Sequence, residues 1–441
     1  MIRRRTGSIP VVVLMLALLI SVTGAAHQQQ PQRLDRFKVE QALRILEMVH
    51  NEVKSHYYDP TFHGVNIDSA YAQAKEKMGA IDSMNRSFGI IADMLDSLQD
   101  SHTFFIPPPR PYSVEYGFRR EIIGDKCFVT AVEPDSDAAK QGLRRGDQLM
   151  SINQFPLDRS SLWKLDCMYD ALSPQPGLVL DVQSPGGVQR RPQVKSEIEH
   201  FNRQVSPGEI LGRSAVRQEA ERPRYQEFGD DLIIINLPNF EMSTIDLDTV
   251  ISKIHKHKAL ILDMRGNPGG AVVEMEEILK NLFDHDVHVC DRVTKGGRKS
   301  ENIKGFGGHA YSGKIVALVD SQSDSAAEVT SRVLQLEKRG TIVGDHSAGK
   351  VMEARTYVDQ LGVDTFFGFG TSVTDADLIM SDGKSLENTG VMPDETVLPT
   401  ALDLATGRDP ALARAAAILG VTISSADAGK YFPYIWIRIK N

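Results

Sequence analysis

The stretch Ala259-Leu260-Ile261-Leu262-Asp263-Met264-Arg265-Gly266-Asn267-Pro268-Gly269-Gly270 runs a short apolar segment into a glycine-rich turn. A second apolar segment, Ile315 to Val319, leads into Ser323-Asp324-Ser325-Ala326-Ala327-Glu328, and Gly349-Lys350 follows. Continuous apolar runs of this length are what strands of a parallel sheet require when both faces are covered. Leu232–Leu237 and Thr341–Val343 read the same way. Segments with helical spacing lie between or after these strands, at Ile245–Lys256, Val272–Phe283 and Ala326–Leu336. The alternation predicts an α/β core over residues 199–404.

That core carries the chemistry. A serine at the start of a helix, a glycine turn and a lone lysine 25 residues after the serine are the parts of a Ser/Lys acyl-transfer site. Ser325 has two readings. Serine before a helix is commonly an N-cap, and the same position also lets the helix N-terminus favour developing negative charge, with the Ala326 N–H as an oxyanion donor. Gly269 and Gly270 supply backbone conformations that other residues avoid, and their missing Cβ atoms let a substrate carbonyl approach. Either amide could complete the oxyanion hole. Neither GxGxxG nor GxxxxGK[ST] follows a strand, which excludes a nucleotide-phosphate turn. Lys350 would serve as base only if burial brought its pKa to roughly 7–8. An ordinary loop lysine is exposed and charged.

Composition sets the frame. A chain of 441 residues predicts two or three domains. The formal charge of −8, with no basic block after residue 5, argues against a nucleic-acid partner. Arg3-Arg4-Arg5, the apolar run Ile9–Val22 and Thr23-Gly24-Ala25-Ala26 read as a secretory signal peptide over 1–26. The run is too short to span a bilayer, so an exported protein, periplasmic or secreted, with no stable span after cleavage is expected. Cys127, Cys167 and Cys290 allow at most one internal disulfide, for which Cys127 and Cys167 are the candidates, and buried free thiols are the simpler reading. No metal spacing occurs, and no cofactor is implied.

Residues 27–111 form a polar linker followed by helical segments (Val39–Val53, Ala70–Met78, Phe88–Leu98), closed by Pro107-Pro108-Pro109. Ser101-His102-Thr103 is the only chemistry in that region. Residues 112–198 change character. There Val129, Val132, Pro134, Ser136, Ala138-Ala139, Gly142-Leu143, Gly146-Asp147, Leu149 and Ile152 fit V-x-x-V-x-P-x-S-x-A-A-x-x-G-L-x-x-G-D-x-L-x-x-I. A C-terminal helix (Ala411–Leu419) and tail occupy 405–441.

With these motifs in view, the chain resembles the C-terminal processing (tail-specific) serine peptidases that carry a PDZ domain. The resemblance covers nearly everything after the first 35 residues. It implies a multidomain α/β protein: an N-terminal helical domain, a PDZ domain and a crotonase/Clp-protease-like α/β peptidase core. It also implies that Ser325 is the nucleophile, Lys350 the base, and Ala326 with Gly269 or Gly270 the oxyanion hole. Tyr116-Gly117-Phe118 matches the loop that binds a peptide carboxylate, beside a groove helix at Ser161–Leu172, so polypeptides held by their C-termini are the implied partners. Glu115 stands where members often have glycine, and Ala354 where many have glutamine. His102 and Glu387 match a neighbouring branch that uses a Ser/His/Glu relay, and histidine needs little tuning to act near neutrality. Lys350 is placed ahead of His102 as base. A catalytically inactive PDZ-bearing scaffold is the alternative from another class.

Overall fold

The structure, a computed structural model, describes residues 34–200, 221–361 and 367–436. The expected signal peptide lies outside the described residues. The chain begins with α1 (Arg36–His56), α2 (Ile67–Met78) and α3 (Met84–Asp96), capped by Asp35, Asn66 and Ser83. Each cap side chain accepts a backbone N–H of the first turn that would otherwise lack a partner. Ala42, Ile45, Leu46, Val49 and Val53 form the buried stripe of α1.

A short strand, β1 (Phe104–Ile106), follows. Then comes the second unit: β2 (Tyr112–Glu115), β3 (Phe118–Ile123), β4 (Lys126–Val132), α4 (Asp137–Lys140), β5 (Gln148–Ile152), β6 (Phe155–Pro156), α5 (Leu162–Asp166), β7 (Gly177–Gln183), β8 (Gln189–Arg190), β9 (Gln193–Lys195) and β10 (Glu197–His200). Its main sheet runs β3-β4-β5-β7-β8, with β6 beside β5 and β9 beside β7. The expected groove helix is α5 continued by a wider π-helical turn, Cys167–Leu172. All three cysteines are free thiols, so Cys127 and Cys167 are not paired.

The remainder supplies β11 (Arg224–Phe228), β12 (Leu232–Asn236), α6 (Thr244–His255), β13 (Ala259–Asp263), α7 (Val272–Leu282), β14 (Val287–Thr294), β15 (Gly297–Ile303), β16 (Lys314–Val319), α8 (Ala326–Leu336), β17 (Thr341–Gly344), β18 (Met352–Leu361), β19 (Phe367–Met380), β20 (Glu395–Thr396), α9 (Ala401–Thr406), α10 (Pro410–Ile418) and α11 (Ser425–Ala428). The central sheet has the order β11-β12-β13-β16-β17-β20, parallel except for β11. Alternate residues of its strands feed opposite cores. Ile233, Leu260 and Leu262 pack with Val250 of α6, Ile278 of α7 and Val333 of α8. Ile234, Ile261 and Leu318 pack with Leu412 and Ala415 of α10. This two-sided burial is why the strands read as unbroken apolar runs.

Two boundaries differ from the sequence reading. The N-terminal helices are not a separate domain: β1 pairs antiparallel with β19, and Phe88, Ile91 and Leu95 share a core with Phe369 and Val373. The proline run ends a strand rather than a domain. Likewise α10 is not an appendage, because it covers one face of the central sheet. A second, antiparallel sheet of β1, β19, β14 and β15, with β18 beside β19, completes the architecture. Among the described residues no helix is long and apolar enough to cross a membrane.

Candidate active site

Parallel strands deliver their loops to one end of a sheet, where sites in such folds are built. β13 ends in the glycine turn, β16 ends in the loop that carries Ser325, and β17 ends in the loop that carries Lys350. The three loops are tied together by their own atoms. Asn267, fully buried, donates its amide to the Leu237 carbonyl at 2.9 Å and accepts from the Gly269 N–H at 2.8 Å. Its carbonyl accepts from the Asp324 N–H at 2.9 Å. Ser323 joins Met264 to Asp320, and its carbonyl accepts from the Ala348 N–H.

Ser325 stands at the N-cap of α8 but differs from the other capping serines. Ser83, Ser136, Ser243 and Ser424 are all extended, and each accepts from a first-turn N–H through its side chain. Ser325 has φ 51° and ψ −115°, a costly region for a residue with a Cβ. Its N–H donates to the Lys350 carbonyl at 3.1 Å and to Glu328 Oε2 at 3.2 Å. A cap needs no such strain. A side chain that must be turned out of the helix axis does.

Gly269 lies directly against it. A Cβ on Gly269 would sit 2.7 Å from Ser325 Cβ and 3.0 Å from the Ala326 nitrogen. Because the Gly269 amide is already given to Asn267, the neighbouring Gly270 amide is the one left for a ligand. Gly270, at φ 141°, is held by a bridge in which the Phe240 N–H donates to the Gly269 carbonyl and the Ala271 N–H to the Phe240 carbonyl.

Glu328 is the residue that sequence reasoning quoted but gave no role. It is fully buried, one turn into α8. Oε1 accepts from Ser347 Oγ at 2.5 Å and the Gly349 N–H at 2.8 Å; Oε2 accepts from the Lys350 N–H at 2.9 Å as well as from Ser325. One carboxylate therefore fixes the lysine loop against the serine. Burial pushes its pKa up, against these four hydrogen bonds.

The N-terminal segment enters the same site. Asp100 Oδ1 accepts from the His102 and Thr103 N–H groups and from Thr374 Oγ1, which pins residues 100–103 to β19. Ser101 Oγ donates to Glu387 Oε2 at 2.9 Å and lies 2.8 Å from His102 Nδ1. With its hydrogen on Glu387, Ser101 accepts from Nδ1–H, so His102 Nε2 is the basic nitrogen. Glu387 also accepts from the Ser101 and Val351 N–H groups. Burial pushes its carboxyl up to about 7. His102 is shifted down by burial and by the Lys350 charge, against the pull of Asp100. Asp324, beside Ser325, is raised to about 7 by burial, and its Oδ1 is buried without a hydrogen-bond partner.

The expected carboxylate loop stands at the start of β3. The Tyr116 hydroxyl donates to the Gln175 carbonyl and accepts its N–H, while the Gly117 carbonyl accepts from the Glu133 N–H. Arg120 on β3 forms an ion pair with Asp166 on α5.

Residues 231–397, which hold the serine, both glycines, the lysine and Glu387, match the profile of peptidase family S41. The chain carries an S41 peptidase domain. It is 24% identical over 269 residues to the tail-specific protease of Haemophilus influenzae, covering 57% of this chain and 36% of that protein. With carboxyl-terminal-processing peptidase 3, chloroplastic, of Arabidopsis thaliana, identity is 23% over 319 residues, covering 68% of this chain and 59% of the relative. The chain thus spans less than two thirds of the length of either. Mature CPAF shares the fold at a TM-score of 0.64 and 16% identity, covering 84% of this chain and 94% of that one. His102 lies outside the residues matched to the S41 profile but inside the site.

Proposed function

We propose that the protein is an exported serine endopeptidase that takes polypeptides by their C-termini and cleaves through an acyl-enzyme. The observation that carries this reading is the unbroken Glu387–Ser101–His102 relay in the site that holds the strained Ser325. Ser325 Oγ attacks the scissile carbonyl and its proton passes to His102 Nε2. The imidazolium is stabilised through Nδ1–H to Ser101, whose own hydroxyl proton rests on Glu387. The oxyanion accepts from the Ala326 and Gly270 N–H groups at the start of α8 and in the glycine turn. The protonated His102 then gives its proton to the leaving amine, and a water repeats the sequence to release the acyl group.

This moves the base from Lys350 to His102. Lys350 remains a second reading because its main chain is bonded to both Ser325 and Glu328, which keeps it beside the nucleophile. The second unit, with Tyr116-Gly117-Phe118 leading into β3 beside α5, supports a PDZ-type groove for a peptide C-terminus. Ser325→Ala tests the assignment on an unstructured polypeptide with a free C-terminus. Cleavage is expected to vanish with the fold retained, and unchanged turnover rejects it.

A further inference from the structure

The second unit grips the loops that carry Ser325 and Lys350. The Ile122 carbonyl accepts from Ser321 Oγ at 2.5 Å and the Arg120 carbonyl from Gln322 Nε2 at 3.4 Å. The Gly124 N–H and Arg159 both donate to Asp345 Oδ2, at 2.8 and 2.9 Å, and Arg159 also reaches the His346 carbonyl at 2.9 Å. Between the two β3 carbonyls lies a side chain that the proposed mechanism does not use. Glu121 makes a carboxyl–carboxyl hydrogen bond to Asp320. Asp320 in turn accepts from the Gly266 N–H at 2.9 Å, the Gln322 N–H at 3.0 Å and Ser323 Oγ at 3.1 Å. It therefore joins the glycine turn to the loop that ends in Ser325.

Two carboxyls in hydrogen-bond contact hold one proton between them. The charged groups around this pair are Arg265 toward both carboxyls, Asp345 and Arg145 toward Glu121, and Asp263 toward Asp320. The Cys127 thiol on β4 also faces Glu121. Burial outweighs the pull of Arg265, and both carboxyls are raised, Glu121 well above its ordinary range.

We infer that Glu121 is a positioning residue for the reaction, fastening β3 to the nucleophile loop through the proton it shares with Asp320. The inference rests on the proposed peptidase reading. A carboxyl raised in the folded state contributes stability that is present at low pH and lost as pH rises through its folded value. On the alkaline side both groups ionise, repel, and release the loop that holds Ser325 in its turn. The contact acts on catalysis rather than on substrate binding, so kcat responds and KM does not.

The test measures kcat and KM for the full chain on an unstructured polypeptide, from about pH 7 to about pH 9.5. Glu121→Gln keeps a hydrogen bond to Asp320 and cannot ionise. It is expected to hold its kcat where the wild type falls by about tenfold, the kinetic equivalent of one net hydrogen bond. Glu121→Ala is expected to lose about that factor at every pH, with KM unmoved. Superimposable wild-type and Glu121→Gln profiles overturn the inference, as does a difference carried by KM. Thermal unfolding is followed alongside, and if Glu121→Gln fails to fold, Asp320→Asn makes the same prediction. Activity surviving in Ser325→Ala would instead mean that the peptidase reading had failed.

Discussion

Replacing Glu328 by glutamine should slow catalysis without unfolding the protein. The size follows from its four hydrogen bonds. An amide oxygen can take over two of them, and the amide nitrogen faces the other two. If nitrogen stands at Oε2, the Lys350 N–H meets another donor and Ser325 keeps only its bond to the Lys350 carbonyl. If it stands at Oε1, Ser347 can rotate its hydroxyl and accept, which leaves the Gly349 N–H unpaired. The second arrangement is cheaper, with one buried donor orphaned at a cost of about 1–3 kcal/mol. That donor lies next to Lys350 in the loop held against Ser325, so expressed fully in the transition state the loss is about 5–150-fold in kcat. The assay is steady-state cleavage of an unstructured polypeptide, with circular dichroism and the rate of labelling by a serine-directed fluorophosphonate. Wild-type kcat in a folded Glu328→Gln protein would refute the argument that this carboxylate holds the two loops together.

The two bases are separated by mutation. His102→Ala should cost about 10²–10⁴-fold in kcat and Lys350→Ala much less, and the opposite ranking would restore the lysine. Activity should rise with pH through about 7, because Glu387 must be ionised to accept from Ser101; Glu387→Gln should remove that limb and most of the rate, and an unaltered profile would exclude the relay. Gly270→Ala should abolish activity and lower Tm, since the new Cβ would fall 2.5 Å from the Phe240 carbonyl oxygen; a stable, active Gly270→Ala protein would rule out its amide as an oxyanion donor. Amidating the C-terminus of a substrate should raise KM, and equal processing of free acid and amide would argue against C-terminal recognition.

The parallel core was legible because its strands are buried on both faces and carry no polar interruption. The antiparallel sheet was not. β19 reads Phe367-Gly368-Phe369-Gly370-Thr371-Ser372-Val373-Thr374-Asp375, polar in pattern, yet Thr371, Ser372 and Thr374 are buried by pairing with distant β1 and β18. Such pairings have no local signature. The choice between Gly269 and Gly270 was within reach. Asn267 two residues before Gly269 is an Asx-turn signal, and that turn consumes the Gly269 amide. Glu328 was hidden by its own propriety: an acidic residue in a first helical turn is expected to face solvent and complement the dipole. Its complete burial, invisible in sequence, is what makes it the tie between the loops.

The pairing of β1 with β19 means that the site is divided along the chain, with His102 on an early segment and Ser325, Lys350 and Glu387 on a late one. A polypeptide cut between β10 and β11 would leave each half with an incomplete sheet edge and an incomplete relay, inert alone. Brought together, the halves share apolar surface, a strand pair and the Arg159 and Glu121 contacts that would drive their reassociation. The molecule is thus a natural template for a two-part reporter, in which proteolytic turnover measures the meeting of two separately expressed pieces.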